Sequence, residues 1–132
     1  MKRTVLTLAI VSIALPAAAL SPKERALINK ELLKLTPETR AEQRCDEHAS
    51  GIVGREHKGF KPDRTVAYAF ADVKVKGMEV DAPGAALRSN GDWYRLTFHC
   101  RTSPDGLSIE NFDYTLGDKV PRTQWSEHSL FD

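Results

Sequence analysis

The chain has 132 residues, with 19 basic and 18 acidic side chains and a formal charge of +1. A charge so close to neutral gives no electrostatic basis for binding nucleic acid or an anionic membrane surface, so we expect neither partner. The length allows one domain with one modest core.

The N-terminus has the order of a secretory signal peptide. Two basic residues precede an apolar run from 5 to 15, which Pro16 and three alanines follow. We predict a signal peptide over residues 1–19, with cleavage after Leu20 as the alternative. The apolar run is too short for a permanent membrane helix, and no later run is longer. We therefore expect a periplasmic or secreted chain with no transmembrane segment, in which residues 20–132 form a single α+β domain.

The next segment predicts two helices. Ser21, followed by a proline and then Glu24, predicts a capping box at the start of the first helix. Thr36, which is also followed by a proline, predicts that the second helix begins at about residue 37. The second helix has its apolar positions on one face: Ala41, Cys45, Ala49 and Ile52.

From residue 65 the hydrophobic period changes to two, which predicts strands. Turn signals at Lys76-Gly77, Asn90-Gly91 and Pro104-Asp105-Gly106 divide this region into four strands. Near Glu110 the apolar phase slips, which predicts a β-bulge. The fold class is therefore α+β, with two N-terminal helices packed on a four-stranded antiparallel meander.

Two-residue turns predict a register for this sheet. A turn at Asn90-Gly91 places Arg88 opposite Trp93, and a turn at Lys76-Gly77 places Tyr68 opposite Ala85. The two assignments agree on a core face that both helices can cover, and its members are Val66, Tyr68, Phe70, Ala85, Leu87, Tyr94, Leu96, Phe98 and Cys100.

Cys45 and Cys100 are the two cysteines of the chain. An exported protein reaches an oxidising compartment, where pairing is the default. The second helix, lying on the core face, would bring Cys45 to Cys100. We predict a disulfide between them, worth roughly 4 kcal/mol in the chain-entropy model.

The stretch R-C-D-E-H at residues 44–48 looks like a reactive cluster, but a helix separates its members by about 100° each. Cys45 points to the core, Asp46 and Glu47 point away and are solvated, and an oxidised cysteine is neither a zinc ligand nor a nucleophile. The histidines are scattered, at His48, His57, His99 and His128. We predict no catalytic residue, no metal and no cofactor.

The second face of the predicted sheet is the most distinctive surface. Its centre is small, and Arg88 and Trp93 could stack there as a cation-π pair. This predicts a shallow binding groove formed by Arg88, Trp93, Arg95 and His99, around the small residues Ala67, Ala69, Ala71, Gly84 and Ala86. The alternative is that a helix or the C-terminal segment, with Trp125 and Phe131, packs on this face.

Four segments carry a family resemblance: LLKLTPETRAEQRCDEHA, PDRTVAYAFADVKVKG, APGAALRSNGDWYRLTFHC and IENFDYTLGDKVPRTQW. The matching positions are Arg44-Cys45-Asp46, Pro62-Asp63-Arg64, Gly84-Ala85-Ala86, Arg88, Trp93-Tyr94 and Cys100. On these residues the chain resembles the bacterial exported family known as domain of unknown function 930. The resemblance implies a Gram-negative envelope protein and carries no established activity.

These observations favour an exported, periplasmic, non-enzymatic binding or envelope-support module. Its expected partner is an unknown envelope protein, a peptide or a glycan. Two alternatives stay open. One is a small periplasmic hydrolase or metal-dependent enzyme that uses His48, His99 or nearby acids, and the other is an inhibitor of an envelope enzyme.

Overall fold

Two helices precede an antiparallel sheet in the computed structural model, which describes residues 20–132. The two helices are α1 (Pro22–Leu32) and α2 (Pro37–Glu56). The strands are β1 (Pro62–Val66), β2 (Lys74–Lys76), β3 (Glu79–Ser89), β4 (Asp92–Thr102) and β5 (Ile109–Lys119), and two short 3-10 helices follow at Arg122–Gln124 and Ser126–His128. The predicted α+β class is confirmed. The predicted signal peptide, residues 1–19, lies outside the described residues.

Both helices begin at the predicted caps. The Ser21 hydroxyl accepts a hydrogen bond from the backbone N–H of Glu24, and the Glu24 carboxylate accepts one from the backbone N–H of Ser21. Thr36 caps α2 through its hydroxyl, which accepts from the N–H of Thr39. The local sequence therefore fixes where each helix starts.

α2 supplies the helical layer over the sheet. Four of its residues, Ala41, Cys45, Ala49 and Val53, belong to the main buried core. α1 contributes none, and Leu32 is its one buried residue. The expectation that both helices cover the core face is therefore wrong for α1, because α2 already occupies that face and the short apolar stripe of α1 lines a cleft beside Gln43 of α2 instead.

The C-terminus of α1 is held by the side chain of Arg40, which comes from α2. Its Nε donates to the carbonyl of Leu32 at 3.0 Å, and its Nη2 donates to those of Leu35 at 3.0 Å and Leu33 at 3.3 Å. Its Nη1 donates to the carbonyl of Asp105, 2.8 Å away in the β4–β5 connection. One guanidinium thus satisfies carbonyls that a helix end leaves without partners, and ties that end to the sheet.

The sheet has the order β1-β3-β4-β5, and the short β2 pairs with another part of β3. The β3–β4 hairpin has the predicted register, with Arg88 opposite Trp93. Asn90 and Gly91 have φ values of 51° and 80°, which is the left-handed backbone that a two-residue hairpin turn requires. This register prediction is confirmed.

The β1 register differs from the prediction by one residue. Val66 pairs with Ala86, whereas the predicted pairing of Tyr68 with Ala85 would place Val66 opposite Leu87. The turn before β3 also lies one residue later than predicted, because Lys76 pairs with Glu79 and leaves residues 77 and 78 in the turn. Between β1 and β2 the chain leaves the sheet, so the strict alternation assumed from residue 65 onward does not hold.

A one-residue shift exchanges the two faces of a strand. Ala67 is consequently buried in the main core, whereas Tyr68, predicted there, is 62% exposed. Val66 and Phe70 pack on the second face of the sheet. The predicted core assignments of Val66, Tyr68 and Phe70 are therefore wrong, and so is the predicted outward position of Ala67.

Gly84 lies directly against the backbone of the segment that follows β1. A Cβ at this position would be 2.2 Å from the backbone nitrogen of Ala71. The N–H of Phe70 donates to the carbonyl of Gly84 at 2.8 Å. The small residues of the second face do admit a second backbone, and that backbone belongs to the chain itself.

β5 pairs with β4 through two interruptions. Arg101 lies opposite Asn111 and Thr102 lies opposite Ile109, which leaves Glu110 as an extra residue and confirms the predicted bulge. A second, unpredicted bulge spans residues 117–118.

The predicted disulfide between Cys45 and Cys100 is present. Both residues are fully buried, in the core between α2 and β4. The bond therefore fastens the helical layer to the central strand of the sheet, at a sequence separation of 55.

Candidate functional site

The C-terminal segment covers part of the sheet face opposite α2. Together with the sheet it forms a second buried cluster, made of Ala86, Trp93, Val120, Trp125 and Leu130. Trp93 is only 1% exposed, and its Nε1 donates to the carbonyl of Phe131 at 2.8 Å. Of the two alternatives that the sequence left open for this area, the packed C-terminal segment is the one found.

Arg88 lies beside this covered area. Its Nε and Nη2 donate to the two carboxylate oxygens of Asp63 at 2.9 and 2.8 Å, and this hydrogen bonding lowers the pKa of Asp63. Its guanidinium carbon lies 5.7 Å from the centre of the Trp93 ring, so the two side chains are neighbours as expected. Because both are engaged within the protein, the predicted groove is closed around Arg88 and Trp93.

Arg95 and His99, the other two predicted binding residues, are separated on the same face of β4. The Arg95 guanidinium lies 3.8 Å from the centre of the Phe70 ring, over which it packs as a cation-π pair. Arg95 therefore borders the covered area. His99, four residues further along the strand, belongs to the part of the face that the C-terminal segment leaves open.

That open part is a shallow trough of about 470 Å³, which we call the outer trough. The side chains that define it are Lys74, Asp81, Pro83, Thr97, His99, Asp113 and Thr115. His99 is the cross-strand partner of Asp81 on β3 and of Asp113 on β5. Since directly opposed residues share a face, these three form a row of acid, imidazole and acid across the sheet.

Electrostatics couple the members of this row. The Nδ1 of His99 donates to Asp81 at 2.6 Å, and this hydrogen bond, together with the charges of Asp81, Glu79 and Asp113, raises the pKa of His99. Glu79 pairs with Arg101. Within residues 20–132, Asp113 has no ion-pair partner. The row therefore holds a protonatable imidazole and one carboxylate that is free to accept hydrogen bonds.

The chemistry of the outer trough suits a ligand that donates hydrogen bonds. Carboxylates accept from ammonium, guanidinium and sugar hydroxyl groups, and charge strengthens such bonds. Sequence reasoning identified His99 and missed Asp81 and Asp113. The bulge at Glu110 contained the signal for Asp113, because it sets Asp113 opposite His99. The Asn90-Gly91 turn alone would place Ala82 opposite His99; Asp81 lies there because the β3–β4 register shifts between Ala82 and Ala85, a shift that the sequence pattern did not predict.

The R-C-D-E-H cluster is dispersed as predicted, except for Asp46. Cys45 is in the disulfide, and Glu47 pairs with Arg44 at 2.7 Å. Asp46, predicted to be solvated, has an Oδ1 with neither solvent contact nor a hydrogen-bond partner. Burial, and then the Glu42 carboxylate, raise the pKa of Asp46 to about 8. The prediction was wrong because a residue turned by about 100° from Cys45 lies on the flank of α2, not on its solvent side.

The histidines considered for an enzyme do not meet. The His48 ring contacts Phe112 on the α2 side of the sheet, with the ring centres 4.9 Å apart, whereas His99 is on the opposite side. Over residues 20–132, no three His, Cys, Asp or Glu side chains are placed to hold a metal ion. His48 and His99 therefore cannot serve one reaction centre.

None of the helices described between residues 20 and 132 is long and apolar enough to cross a membrane. No curated protein and no solved structure matches the sequence. The family described as Domain of Unknown Function (DUF930) matches residues 32–130, a range that contains α2, the whole sheet and every residue of the second buried cluster. The chain therefore belongs to the DUF930 family.

Proposed function

We propose that the protein is an exported, periplasmic, non-enzymatic binding module that holds its partner in the outer trough. The observation that carries the proposal is the row of Asp81, His99 and Asp113 on the part of the sheet left open by the C-terminal segment. A partner can reach this row without displacing any buried residue.

Export is supported by the order of the N-terminal residues and by the buried disulfide, which is typical of oxidising compartments. The partner is an envelope protein, peptide or glycan that presents amino, guanidinium or hydroxyl groups. Such groups match the acceptor-rich trough, and Thr97 and Thr115, opposite each other in the next row, add hydroxyls for polar contacts.

A second candidate function is a small hydrolase. The observation that favours it is the hydrogen bond from His99 to Asp81, because a carboxylate that orients an imidazole is a common arrangement of a general base. The protein could also be an inhibitor of an envelope enzyme, in which case that enzyme would be the partner bound at the outer trough.

Site-specific photo-crosslinking in cells tests the binding proposal. A photoreactive amino acid replaces Thr115 in the trough or, as the control, the exposed Glu38 on the first turn of α2. We expect a discrete adduct from position 115 and none from position 38. The adduct from 115 should weaken when Asp113→Asn is added, because the free carboxylate is lost.

Equal adducts from both positions, or an adduct that Asp113→Asn leaves unchanged, would contradict the proposal. Turnover of ester or peptide substrates by the purified protein, abolished by His99→Gln, would favour the hydrolase instead. Export is tested separately, by the mass of the protein recovered from the periplasm: the full-length mass would exclude a cleaved signal peptide.

A further inference from the structure

A second concave site lies on the helical side of the protein, away from the outer trough. It is a crevice of about 220 Å³ between α2, the beginning of α1 and the start of β5. We call it the arginine crevice; its polar side chains are Arg25, Arg44, Glu47, His48 and Arg55, and its apolar side chains are Leu20 and Ile109.

The helix geometry explains why these basic groups converge. Arg44, His48 and Arg55 are separated by four and seven residues, so they lie in one stripe along α2. Arg25 approaches from α1, which lies beside α2. Three guanidinium groups and one imidazole thus surround one small volume, although they are scattered over 31 positions in the sequence.

One of the arginines, Arg44, is held in place by specific contacts. Arg44 donates from Nε to the carbonyl of Leu107 at 2.7 Å and from Nη1 to Glu47 at 2.7 Å. Arg55 folds back along α2, so that its Nη1 would lie 3.1 Å from a Cβ at Gly51. A side chain at position 51 would require the Arg55 guanidinium to shift by a few tenths of an ångström, and the glycine leaves that space free.

The positive charge of the arginine crevice is largely unneutralised. Glu47 is the one carboxylate among its lining residues, and it pairs with Arg44. In the described part of the chain, neither Arg25 nor Arg55 forms an ion pair. Burial, followed by the charges of Arg55 and Arg44, lowers the pKa of His48. An anion is the missing partner of this arrangement.

We infer that the arginine crevice binds a phosphate group. Guanidinium groups match phosphate oxygens in geometry and charge, and a tetrahedral anion can accept hydrogen bonds from several directions at once. A carboxylate has two oxygens in one plane, whereas a phosphate offers more oxygens in a tetrahedral arrangement and so suits three guanidinium groups better. The apolar side chains of Leu20 and Ile109 at the same crevice would contact an apolar part of the ligand. The ligand therefore carries its phosphate beside an apolar group, as an organic phosphate or a phospholipid does.

The test is a titration of the isotopically labelled full-length mature protein with inorganic phosphate. The titration is monitored through the NMR signals of the arginine Nε–H groups and of the His48 ring. We expect the signals of Arg25, Arg55 and His48 to shift and to saturate. The double variant Arg25→Gln/Arg55→Gln should weaken phosphate binding by ~100-fold, since the loss of each charge-assisted hydrogen bond costs about a factor of ten. Arg64→Gln, an exposed arginine on β1, is the matched control and should leave binding unchanged.

Vesicles of phosphatidylglycerol or of phosphatidylcholine distinguish the two sources of phosphate. Binding to phosphatidylglycerol vesicles that the double variant loses would support a lipid headgroup, whereas binding of inorganic phosphate alone would support a small molecule. The inference is overturned if neither probe binds, if chloride at equal ionic strength produces the same shifts, or if Arg64→Gln weakens binding as much as the double variant does.

Discussion

The Nε1 of Trp93 donates a hydrogen bond to the backbone carbonyl of Phe131, 2.8 Å away, and so connects the middle of the β3–β4 hairpin to the C-terminal segment. Trp93 is buried together with Trp125 and Leu130. Replacing Trp93 with alanine removes both this hydrogen bond and a large buried surface, so we expect the free energy of unfolding to fall by roughly 3–5 kcal/mol. Urea denaturation measures the loss.

The matched control for Trp93→Ala is Tyr68→Ala, because Tyr68 is an aromatic residue that is 62% exposed. Its replacement should change the free energy of unfolding by no more than about 0.5 kcal/mol. Similar stabilities for the two variants would mean that the C-terminal segment does not pack on Trp93 in solution.

The disulfide between Cys45 and Cys100 closes a long loop around most of the core. Chain entropy predicts that the double variant Cys45→Ala/Cys100→Ala unfolds more easily, by about 4 kcal/mol. Thermal and urea unfolding measure this difference. The wild-type protein in reductant should unfold like the double variant. A reduced protein as stable as the oxidised one would show that the bond adds nothing to stability.

Asp46 should make stability fall as the pH rises. Its pKa is about 8 in the folded protein, above the ordinary value of about 3.9 in an unfolded chain. Between about pH 4 and pH 8 the folded state therefore holds a proton that the unfolded state has released, so each rise in pH favours unfolding. Asp46→Asn, which is neutral at every pH, should remove this dependence and raise the free energy of unfolding at pH 8 by up to about 5 kcal/mol.

The pH dependence of Asp46→Asn is compared with that of Asp105→Asn, because Asp105 is an exposed carboxyl whose pKa is lowered mainly by its hydrogen bond with Ser103. The contribution of Asp105 to stability has the opposite sign. It is present above the pKa that Asp105 has in the unfolded chain, and it is lost as the pH falls through the lower pKa of the folded state. If Asp46→Asn left the slope between pH 5 and 8 unchanged, Asp46 would have to be ionised in the folded protein.

Arg40 should be required to keep α1 in place. Arg40→Ala removes its bonds to the carbonyls of Leu32, Leu33 and Leu35 and to that of Asp105. We expect a loss of about 2 kcal/mol and faster proteolytic cleavage between α1 and α2. Arg40→Lys should not restore protection, because an ammonium cannot reproduce the planar fork of donors. Arg64→Ala, on an exposed residue, is the control; equal cleavage rates in Arg40→Ala and Arg64→Ala would contradict this role.

The sequence predicted those parts of the fold that depend on strong local signals. The Ser21 and Thr36 caps, the Asn90-Gly91 turn and the bulge at Glu110 are all where their local chemistry placed them. The Cys45–Cys100 bond followed from the helix phase and the register of β4. For the caps, the turn and the bulge, a few adjacent residues determine the backbone conformation, and distant parts of the chain have little influence.

The errors arose where packing between distant parts of the chain determines the strand register and which residues are buried. The turn before β3 is displaced by one residue from its predicted position. Between β1 and β2 the chain also leaves the sheet and passes over Gly84. The resulting one-residue shift in register buries Ala67 and exposes Tyr68, the reverse of the prediction. The burial of Asp46 depends on what covers the flank of α2, which helix phase alone does not show. His99 was identified as a binding residue by its position on the face, but its acidic neighbours emerge only when three strands are aligned.

The two bulges in β5 have a consequence for self-association. Among residues 20–132, β5 has a strand neighbour on one side only, and a straight, regular outer strand invites pairing with a second copy of the same chain. Its pairing with β4 is broken at Glu110 and again at residues 117–118, so the strand is irregular at both ends. Asp113, Asp118 and Lys119 add charges along it. The same irregularity that aligns Asp113 with His99 therefore also makes β5 a poor template for edge-to-edge pairing with a second copy.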